Sequence, residues 1–154
     1  MEIKKLKQLL EKSWDKDTCS PTLINTWSED NPSIGQCAIT SLIVNDFFGG
    51  KIMRCMTSTG SHYYNLIDDE IVDLTFEQFA GEKVNYEDGE ERTREYLLSN
   101  DDTKNRYIKL NNNLKEVINE EEQIRQNRYN ICVQLRKETF DRENKKCLRR
   151  VKNK

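Results

Sequence analysis

The sequence has little of what builds a metal centre or a disulfide framework. It holds one histidine, His62, and its five cysteines include no Cys-x-x-Cys pair. A zinc site needs several cysteine or histidine ligands at short spacings. We therefore expect no metal and no cofactor. The odd number of cysteines also argues against a complete set of structural disulfides.

Long apolar runs are missing as well. Hydrophobic residues make up 35% of the 154 residues and charged residues 34%, and the mean hydropathy is −0.90. No run approaches the roughly 18 apolar residues that a membrane-spanning helix needs. Residues 1–14 interleave charged and apolar side chains and lack the apolar core of a secretory signal. We expect a cytoplasmic protein with free thiols and no membrane association.

The whole chain has a small net charge, whereas its C-terminal segment is strongly basic. The net charge is −2, whereas residues 136–154 hold nine Lys or Arg and three Asp or Glu. The length is typical of one domain, so we expect a single domain over 1–135 and a basic tail over 136–154. A basic tail can contact nucleic acid. A solvated terminal segment is the favoured interpretation, so nucleic acid is not the expected partner.

What the sequence does contain is an apolar region between Trp27 and Phe79, where we expect the core. Residues 35–48 predict a helix that is apolar nearly all round and is therefore buried. Gly49 and Gly50 follow this helix as a left-handed stop signal.

Strands are predicted directly after this helix. Alternating side chains indicate a strand over 51–57. Two β-rich runs around Asp68 and Asp69 indicate a hairpin over 61–75. Because strands and helices come in separate runs, the expected class is α+β. We expect a buried helix packed on a small antiparallel sheet, with peripheral helices.

The peripheral helices are predicted from apolar residues at three- and four-residue spacings. Their expected ranges are 2–14, 75–79, 91–99 and 104–126. Thr75 and Gln78 have the spacing of a capping box at the start of the helix predicted over 75–79. Residues 129–135 are ambiguous between a strand and a continued helix.

The hairpin brings polar side chains to one face. A turn of two or four residues pairs Leu66 with Ile71. Side chains alternate between faces along a strand, so His62, Tyr64 and Asp73 then share a face. His62 and Asp73 become diagonal neighbours, about 7–8 Å apart in the backbone and within reach of a hydrogen bond. A three-residue turn would place them on opposite faces.

Cys37 opens the predicted buried helix. Backbone N–H groups in the first turn of a helix lack intrahelical partners, and the positive end of the helix dipole favours an anion there. The position therefore favours a thiolate, the nucleophilic form of cysteine, and the same N–H groups can stabilise an oxyanion. Taken alone, Cys37 is better interpreted as a small buried hydrophobe, as most free cysteines are.

Cys37, His62 and Asp73 together indicate a catalytic site more strongly than any one of them does alone. An aspartate bonded to one ring nitrogen leaves the other nitrogen to take a proton from a thiol. This is the arrangement of nucleophile, base and orienting group used in covalent catalysis. The catalytic candidates are therefore Cys37 as nucleophile, His62 as general base and then acid, and Asp73 as the residue that orients the ring.

Two segments of the sequence also resemble a known family. WSEDNPSIGQCAITSLIVNDFFGG and GSHYYNLIDDEIVDLT, with FEQF after the second, resemble the YunG-like family of uncharacterised bacterial proteins over roughly residues 13–110. More distantly, a helix-start Cys, a strand His and then an Asp are similar to the transglutaminase and papain-like superfamily. That resemblance implies a papain/transglutaminase-like fold and places its Cys–His–Asp roles on Cys37, His62 and Asp73.

Three further residues are candidates for the oxyanion site or the cleft. Gln36 could donate to an oxyanion, although a residue next to the nucleophile on a helix points about 100° away from it. Trp27, in the long loop over 15–34, could form a wall of the cleft, but core packing is favoured. Tyr64 could line the cleft on the face that carries His62.

Two functions remain open. The first is a cysteine-dependent hydrolase or acyl transferase, of peptidase, amidase or deamidase type, with an amide- or ester-containing substrate. The alternative is a catalytically inactive binding or regulatory module on the same fold, which the charged periphery and basic tail favour. Either is compatible with a monomer or a small homo-oligomer, including an antiparallel dimer built through the long helix.

Overall fold

The structure is a computed structural model that describes the backbone of residues 1–152 and the side chains of residues 1–140 and 142. The chain divides into two compact units, Met1–Val117 and Ile118–Lys154. The helices and strands that position the candidate site all belong to the first unit.

Helix α1, Ile3–Ser13, buries one stripe of its surface, as its apolar spacing predicts. Its buried apolar side chains are Leu6, Leu9 and Leu10. Just beyond the helix, Trp14 donates its indole N–H to Thr40 Oγ1 at 3.1 Å. This hydrogen bond ties the end of α1 to the next helix.

Helix α2, Cys37–Phe48, is the buried helix that the apolar run predicts. All six residues from Ile39 to Val44 are buried, because a helix that is apolar on all sides needs cover on all sides. Leu42 packs beside Ile52 of the sheet. Gly49 follows the helix with a φ of +69°, a conformation that glycine adopts readily.

A four-stranded antiparallel sheet packs against α2. Its strands are β1 Lys51–Thr57, β2 Gly60–Ile67, β3 Glu70–Val72 and β4 Glu90–Arg92, in the order β3-β2-β1-β4. The helix lies against the two central strands, β1 and β2. The architecture is α+β, with a buried helix on a small antiparallel sheet, as the sequence predicts.

Strands β2 and β3 form the hairpin in the predicted register. Leu66 pairs with Ile71, and the two connecting residues, Asp68 and Asp69, have φ values of 50° and 62°. Two consecutive residues at positive φ are typical of a type I′ turn, whose twist matches that of the flanking strands. The even number of turn residues is confirmed.

The predicted start of the short helix over 91–99 is wrong. Glu90–Arg92 is strand β4, which pairs with Ile52–Arg54 of β1. Helix α3 covers only Arg94–Leu98 and is capped by the side chain of Thr93. Strand β4 consists of charged residues at the edge of the sheet, so it has no apolar alternation, and tertiary pairing alone makes it a strand.

Helix α4, Asp101–Lys152, is longer than the helix predicted over 104–126. It includes 129–135, which the sequence leaves ambiguous, and the described part of the predicted basic tail over 136–154. No glycine or proline occurs within it to end it. Outside the described residues lie 153–154 and the side chains of 141 and 143–152. In the part of the chain that the structure describes, every helix falls short of the length or the apolar character of a bilayer-spanning segment.

The turn residue Asp69 offers a test of the hairpin geometry. Its positive φ costs a residue with a side chain roughly 1 kcal/mol, and costs glycine almost nothing. Asp69→Gly should therefore raise the free energy of unfolding by about 0.5 kcal/mol. The matched variant Asp69→Ala should lower it, because alanine lacks the polar side chain that tolerates this conformation. Urea denaturation measures both shifts, and shifts of the same sign would contradict a type I′ turn.

Candidate active site

His62 and Asp73 meet on one face of the hairpin. His62 Nε2 lies 2.6 Å from Asp73 Oδ2, and the two side chains are 1% and 5% exposed. Strand β2 supplies His62, and Asp73 follows β3 directly. The two residues expected to be diagonal neighbours are therefore hydrogen-bonded, and their burial strengthens the interaction because the interior screens charge less than water does.

The Asp73 carboxylate is held by four donors. Oδ1 accepts the backbone N–H of Thr75 at 3.0 Å and its hydroxyl at 3.1 Å, and Oδ2 accepts the Tyr86 hydroxyl at 2.9 Å in addition to His62. Burial raises the pKa of Asp73, but the hydrogen bond and charge of His62, with the other donors, outweigh it and lower the pKa below its ordinary value. Asp73 therefore stays ionised.

The surroundings of His62 favour the protonated imidazole. Burial alone lowers the pKa of His62, because it disfavours the charged form. The hydrogen bonds of the ring with Asp73 and with Cys37, and the charges of both, act in the opposite direction and raise the pKa to about 9. Because Asp73 holds Nε2, the nitrogen left for Cys37 is Nδ1.

Cys37 is the first residue of α2 and is half-buried. Gln36 before it makes no side-chain hydrogen bond that caps the helix, and the first turn contains no acidic residue. The N–H groups of this turn lack intrahelical partners and carry the positive end of the helix dipole. An anion beside Cys37, whether a thiolate or a developing oxyanion, is stabilised by this position.

Cys37 and His62 line the same cavity, whose volume is about 230 Å³. Among the described residues in its wall there is no carboxylate, and the charged side chain besides the imidazole is Arg106. The wall is rich in hydroxyl groups, from Ser20, Thr22, Thr57, Thr59, Ser61, Tyr63 and Thr103. A cavity of this size and polarity suits a small polar group better than a long apolar chain.

Gln78 is a site residue that sequence reasoning missed. It lies in a 3₁₀ helix, Phe76–Phe79, and its Nε2 donates to the carbonyl and the Oγ1 of Thr75, each at 3.0 Å. The same nitrogen is 3.3 Å from His62 Nδ1. The predicted capping box is wrong, because the N–H and hydroxyl of Thr75 donate to Asp73 instead. The spacing of Thr75 and Gln78 made the pair recognisable in the sequence, but it predicted a helix cap and not a residue of the site.

Tyr86 is the second residue that was missed. Burial, the charge of Asp73 and the hydrogen bond to it raise the pKa of Tyr86 well above its ordinary value, so the phenol remains a donor. Tyr86 lies in the loop between the 3₁₀ helix and β4, where its ring packs against Tyr64 with centroids 4.8 Å apart. No local pattern marks this residue, since only the tertiary path of the loop brings it to Asp73.

Two of the residues predicted for the oxyanion site or cleft have other partners. Gln36 is fully buried and donates its Nε2 to the Asp15 carbonyl at 3.0 Å. Trp27 donates its indole N–H to the Pro32 carbonyl at 3.2 Å. Neither is among the described residues that line the cavity. Their donors are committed to the long loop before α2, so neither side chain reaches the site as placed.

Tyr64, the third of these residues, supports the imidazole instead of lining the cavity. It is buried, its ring centroid is 6.3 Å from that of His62, and its hydroxyl donates to the Tyr86 carbonyl at 3.1 Å. Phe79 contacts the imidazole edge-on, with ring centroids 4.7 Å apart. The two aromatic rings restrict the orientation of the His62 ring.

Cys19 and Cys55 are two other cysteines near the site. Burial raises the pKa of both Cys19 and Cys55, so these thiols are neutral at pH 7. Within the described side chains, no group of three or more His, Cys, Asp or Glu is arranged to hold a metal ion. The described residues bring the Cys37 thiol and the His62–Asp73 pair to one cavity.

Comparisons with known proteins match most of the first unit and part of α4. A family model described as "YunG protein" matches residues 2–119. The chain is also similar to "Uncharacterized protein YunG" of Bacillus subtilis (strain 168), with 38% identity over 74 residues, which are 48% of this chain. The matched region spans 60% of the length of that relative. No solved structure matches the chain.

The His62–Asp73 pair predicts how stability depends on pH. Folding raises the pKa of His62 from 6.5 to about 9. The stabilisation that this provides is complete below about pH 6.5 and is lost as the pH rises through 9. We expect the free energy of unfolding to fall by about 2–3 kcal/mol over this interval, as measured by urea denaturation at several pH values.

Asp73→Asn is the matched control for this pH dependence. The amide keeps the shape of the side chain but removes the charge that helps to raise the pKa of His62, so the fall between pH 6.5 and 9 should become shallower. A variant with the full wild-type slope would show that Asp73 does not raise the pKa of His62.

Proposed function

This chain belongs to the YunG family, and on that premise we propose that it is a cysteine-dependent hydrolase or acyl transferase acting on an amide or ester. The observation that carries the proposal is the buried hydrogen bond between Asp73 and His62, together with the cavity that both His62 and Cys37 line. A nucleophile, a base and an orienting carboxylate in this order are the requirements of covalent acyl transfer.

The proposed reaction begins with proton transfer from the Cys37 thiol to His62 Nδ1. The Cys37 thiolate then attacks the substrate carbonyl carbon, forming a C–S bond and a tetrahedral oxyanion. Collapse of this intermediate breaks the bond to the leaving amine or alcohol, which takes the proton from the imidazolium. Water, or an acceptor amine or alcohol, then attacks the thioester with His62 as base and releases the Cys37 thiol.

Two kinds of donor are placed to stabilise the oxyanion. The first is the set of uncapped N–H groups in the first turn of α2, where Cys37 lies. The second is Gln78 Nε2, which lies beside His62 Nδ1 and in the wall of the cavity. We assign the side-chain donor role to Gln78 and not to Gln36 because Gln78 lines the cavity and Gln36 does not. In this role Gln78 Nε2 exchanges its hydrogen bonds to Thr75 for one to the oxyanion.

The order of elements supports a papain/transglutaminase-like arrangement for the core. The cysteine starts a buried helix, the helix packs on an antiparallel sheet, and His62 and Asp73 come from consecutive strands or their ends. The free thiols of Cys19, Cys37 and Cys55 suit a reducing compartment such as the cytoplasm. We propose both assignments together with the activity.

The reactivity of Cys37 tests the thiol–imidazole pair. Wild-type protein is alkylated with iodoacetamide between pH 5 and 9, and the modified cysteines are quantified by peptide mass. At pH 6, Cys37 should react roughly 30-fold or more faster than in His62→Ala, because the imidazolium stabilises the thiolate. The exposed Cys132 is an internal reference within the same sample.

Either of two results would refute the reactive pair. One is a Cys37 that reacts no faster than Cys132 below pH 7. The other is a fast reaction that His62→Ala leaves unchanged. In both cases the constellation is structural, and the chain is a binding or regulatory module on this fold.

The role of Gln78 is tested by comparing acylation with alkylation. A p-nitrophenyl ester transfers its acyl group to Cys37 and releases p-nitrophenolate, and an oxyanion forms only in this reaction. Gln78→Ala should slow p-nitrophenolate release about 100-fold, as loss of an oxyanion donor does. The same variant should leave the alkylation rate of Cys37 within about threefold of wild type.

The isosteric variant Gln78→Glu is the matched control, because it keeps the side-chain shape and removes the N–H donors. It should lose p-nitrophenolate release as Gln78→Ala does. If both variants reduce alkylation and acylation equally, Gln78 orients His62 and is not an oxyanion donor.

A further inference from the structure

The second compact unit, Ile118–Lys154, carries exposed apolar residues on one face of α4. Ile124, Ile131 and Leu135 are 51%, 59% and 54% exposed. Steps of seven and four residues bring them to the same face, because each residue turns a helix by about 100°. Single exposed apolar residues are ordinary, but an aligned set is typical of a surface that a partner covers.

Two charged residues continue this face. Arg128 lies four residues after Ile124, and Glu138 lies three residues after Leu135; both are exposed. The face therefore reads Ile124, Arg128, Ile131, Leu135 and Glu138, and we call these five residues the heptad stripe. Alternating steps of four and three residues are those of the a and d positions of a coiled coil.

We propose that the heptad stripe pairs with the heptad stripe of a second copy of this chain, with the two helices antiparallel. A two-fold axis near Val133 places each residue of the heptad stripe opposite a complementary residue of the second copy. Ile131 then faces Leu135 of the second copy, and Arg128 faces Glu138 of the second copy. The two-fold axis repeats each contact, as in any isologous interface.

Charge selects the antiparallel orientation. A parallel pair in register would place Arg128 against Arg128 and Glu138 against Glu138, which is repulsive in both layers. The ends of the unit show the same preference, because Glu120–Glu122 is acidic and residues 136–154 hold nine Lys or Arg. An antiparallel pair brings the acidic start of one copy to the basic end of the other.

The interface is small, so the dimer is expected to be weak. Ile124 faces Arg142 of the second copy, whose aliphatic stem can cover it, and the apolar core of the contact is the repeated Ile131–Leu135 layer. An interface of this kind is at the low end of the size range for specific complexes. We expect a dissociation constant of about 10–100 µM.

Sedimentation equilibrium of the full chain measures this association. Between about 5 µM and 500 µM, the mass should rise from 18.3 kDa towards twice that value. Ile131→Glu should raise the dissociation constant by at least about 30-fold, because each dimer then holds two carboxylates in an apolar layer. Ile108→Glu is the matched control, since Ile108 is 48% exposed on the same helix but lies outside the heptad stripe.

Charge reversal distinguishes antiparallel from parallel pairing. Arg128→Glu and Glu138→Arg should each weaken the dimer, and the double variant should restore the wild-type dissociation constant because it swaps the two members of each pair. In a parallel dimer, residue 128 faces residue 128, so the single variants would leave the repulsion unchanged and the double variant would restore nothing.

Thiol crosslinking locates the two-fold axis. Cys132 is exposed and lies one residue from Val133, so a short bismaleimide should join Cys132 to Cys132, as read by peptide mass. Cys147 should not join to Cys147, since 14 residues of helix separate it from the axis, about 21 Å in each copy. A chain that is monomeric at 500 µM, a dimer insensitive to Ile131→Glu, or a Cys147–Cys147 crosslink would each overturn the proposal.

Discussion

The buried hydrogen bond between His62 and Asp73 is the interaction on which the site depends. A carboxylate removed from water is costly unless donors replace its hydration. Asp73 has four donors, and they come from separate parts of the chain: the hairpin strand, the start of the 3₁₀ helix and the loop before β4. One side chain therefore fixes the imidazole, the direction of Thr75 and the position of Tyr86. The cavity wall beside Gln78 follows from the same constraint, because Gln78 donates to Thr75.

Much of this arrangement could be predicted because it rests on local rules. Side chains alternate along a strand, so the number of turn residues alone decides whether His62 and Asp73 share a face. Two adjacent aspartates tolerate the positive φ values of a type I′ turn, which makes that number two. The burial of α2 follows equally directly from its apolar composition, and it places Cys37 at the start of the helix that packs on the hairpin.

The parts that sequence reasoning missed depend on contacts between distant segments. Tyr86 reaches Asp73 because its loop packs on Tyr64, and no periodicity records such packing. Strand β4 is made of charged residues and is a strand only because β1 offers an open edge. The Thr75–Gln78 spacing fits a capping box, in which the Gln78 side chain accepts the Thr75 N–H. In the structure the nearby Asp73 carboxylate accepts that N–H and the Thr75 hydroxyl instead. The full length of α4 was predictable, since no residue that ends helices occurs within it.

The raised pKa of His62 bears on how the proposed chemistry would start. A general base is usually most effective when its pKa is near the working pH, whereas His62 holds its proton to about pH 9. The surroundings of the ring therefore favour the imidazolium, and Cys37 lies in the first turn of α2, at the positive end of the helix dipole. The raised pKa of His62 favours transfer of the Cys37 thiol proton to Nδ1, which is the first step of the proposed reaction. That proton would then serve the leaving group, so the carboxylate that stabilises the fold of the hairpin would also favour the imidazolium that the proposed acyl transfer uses.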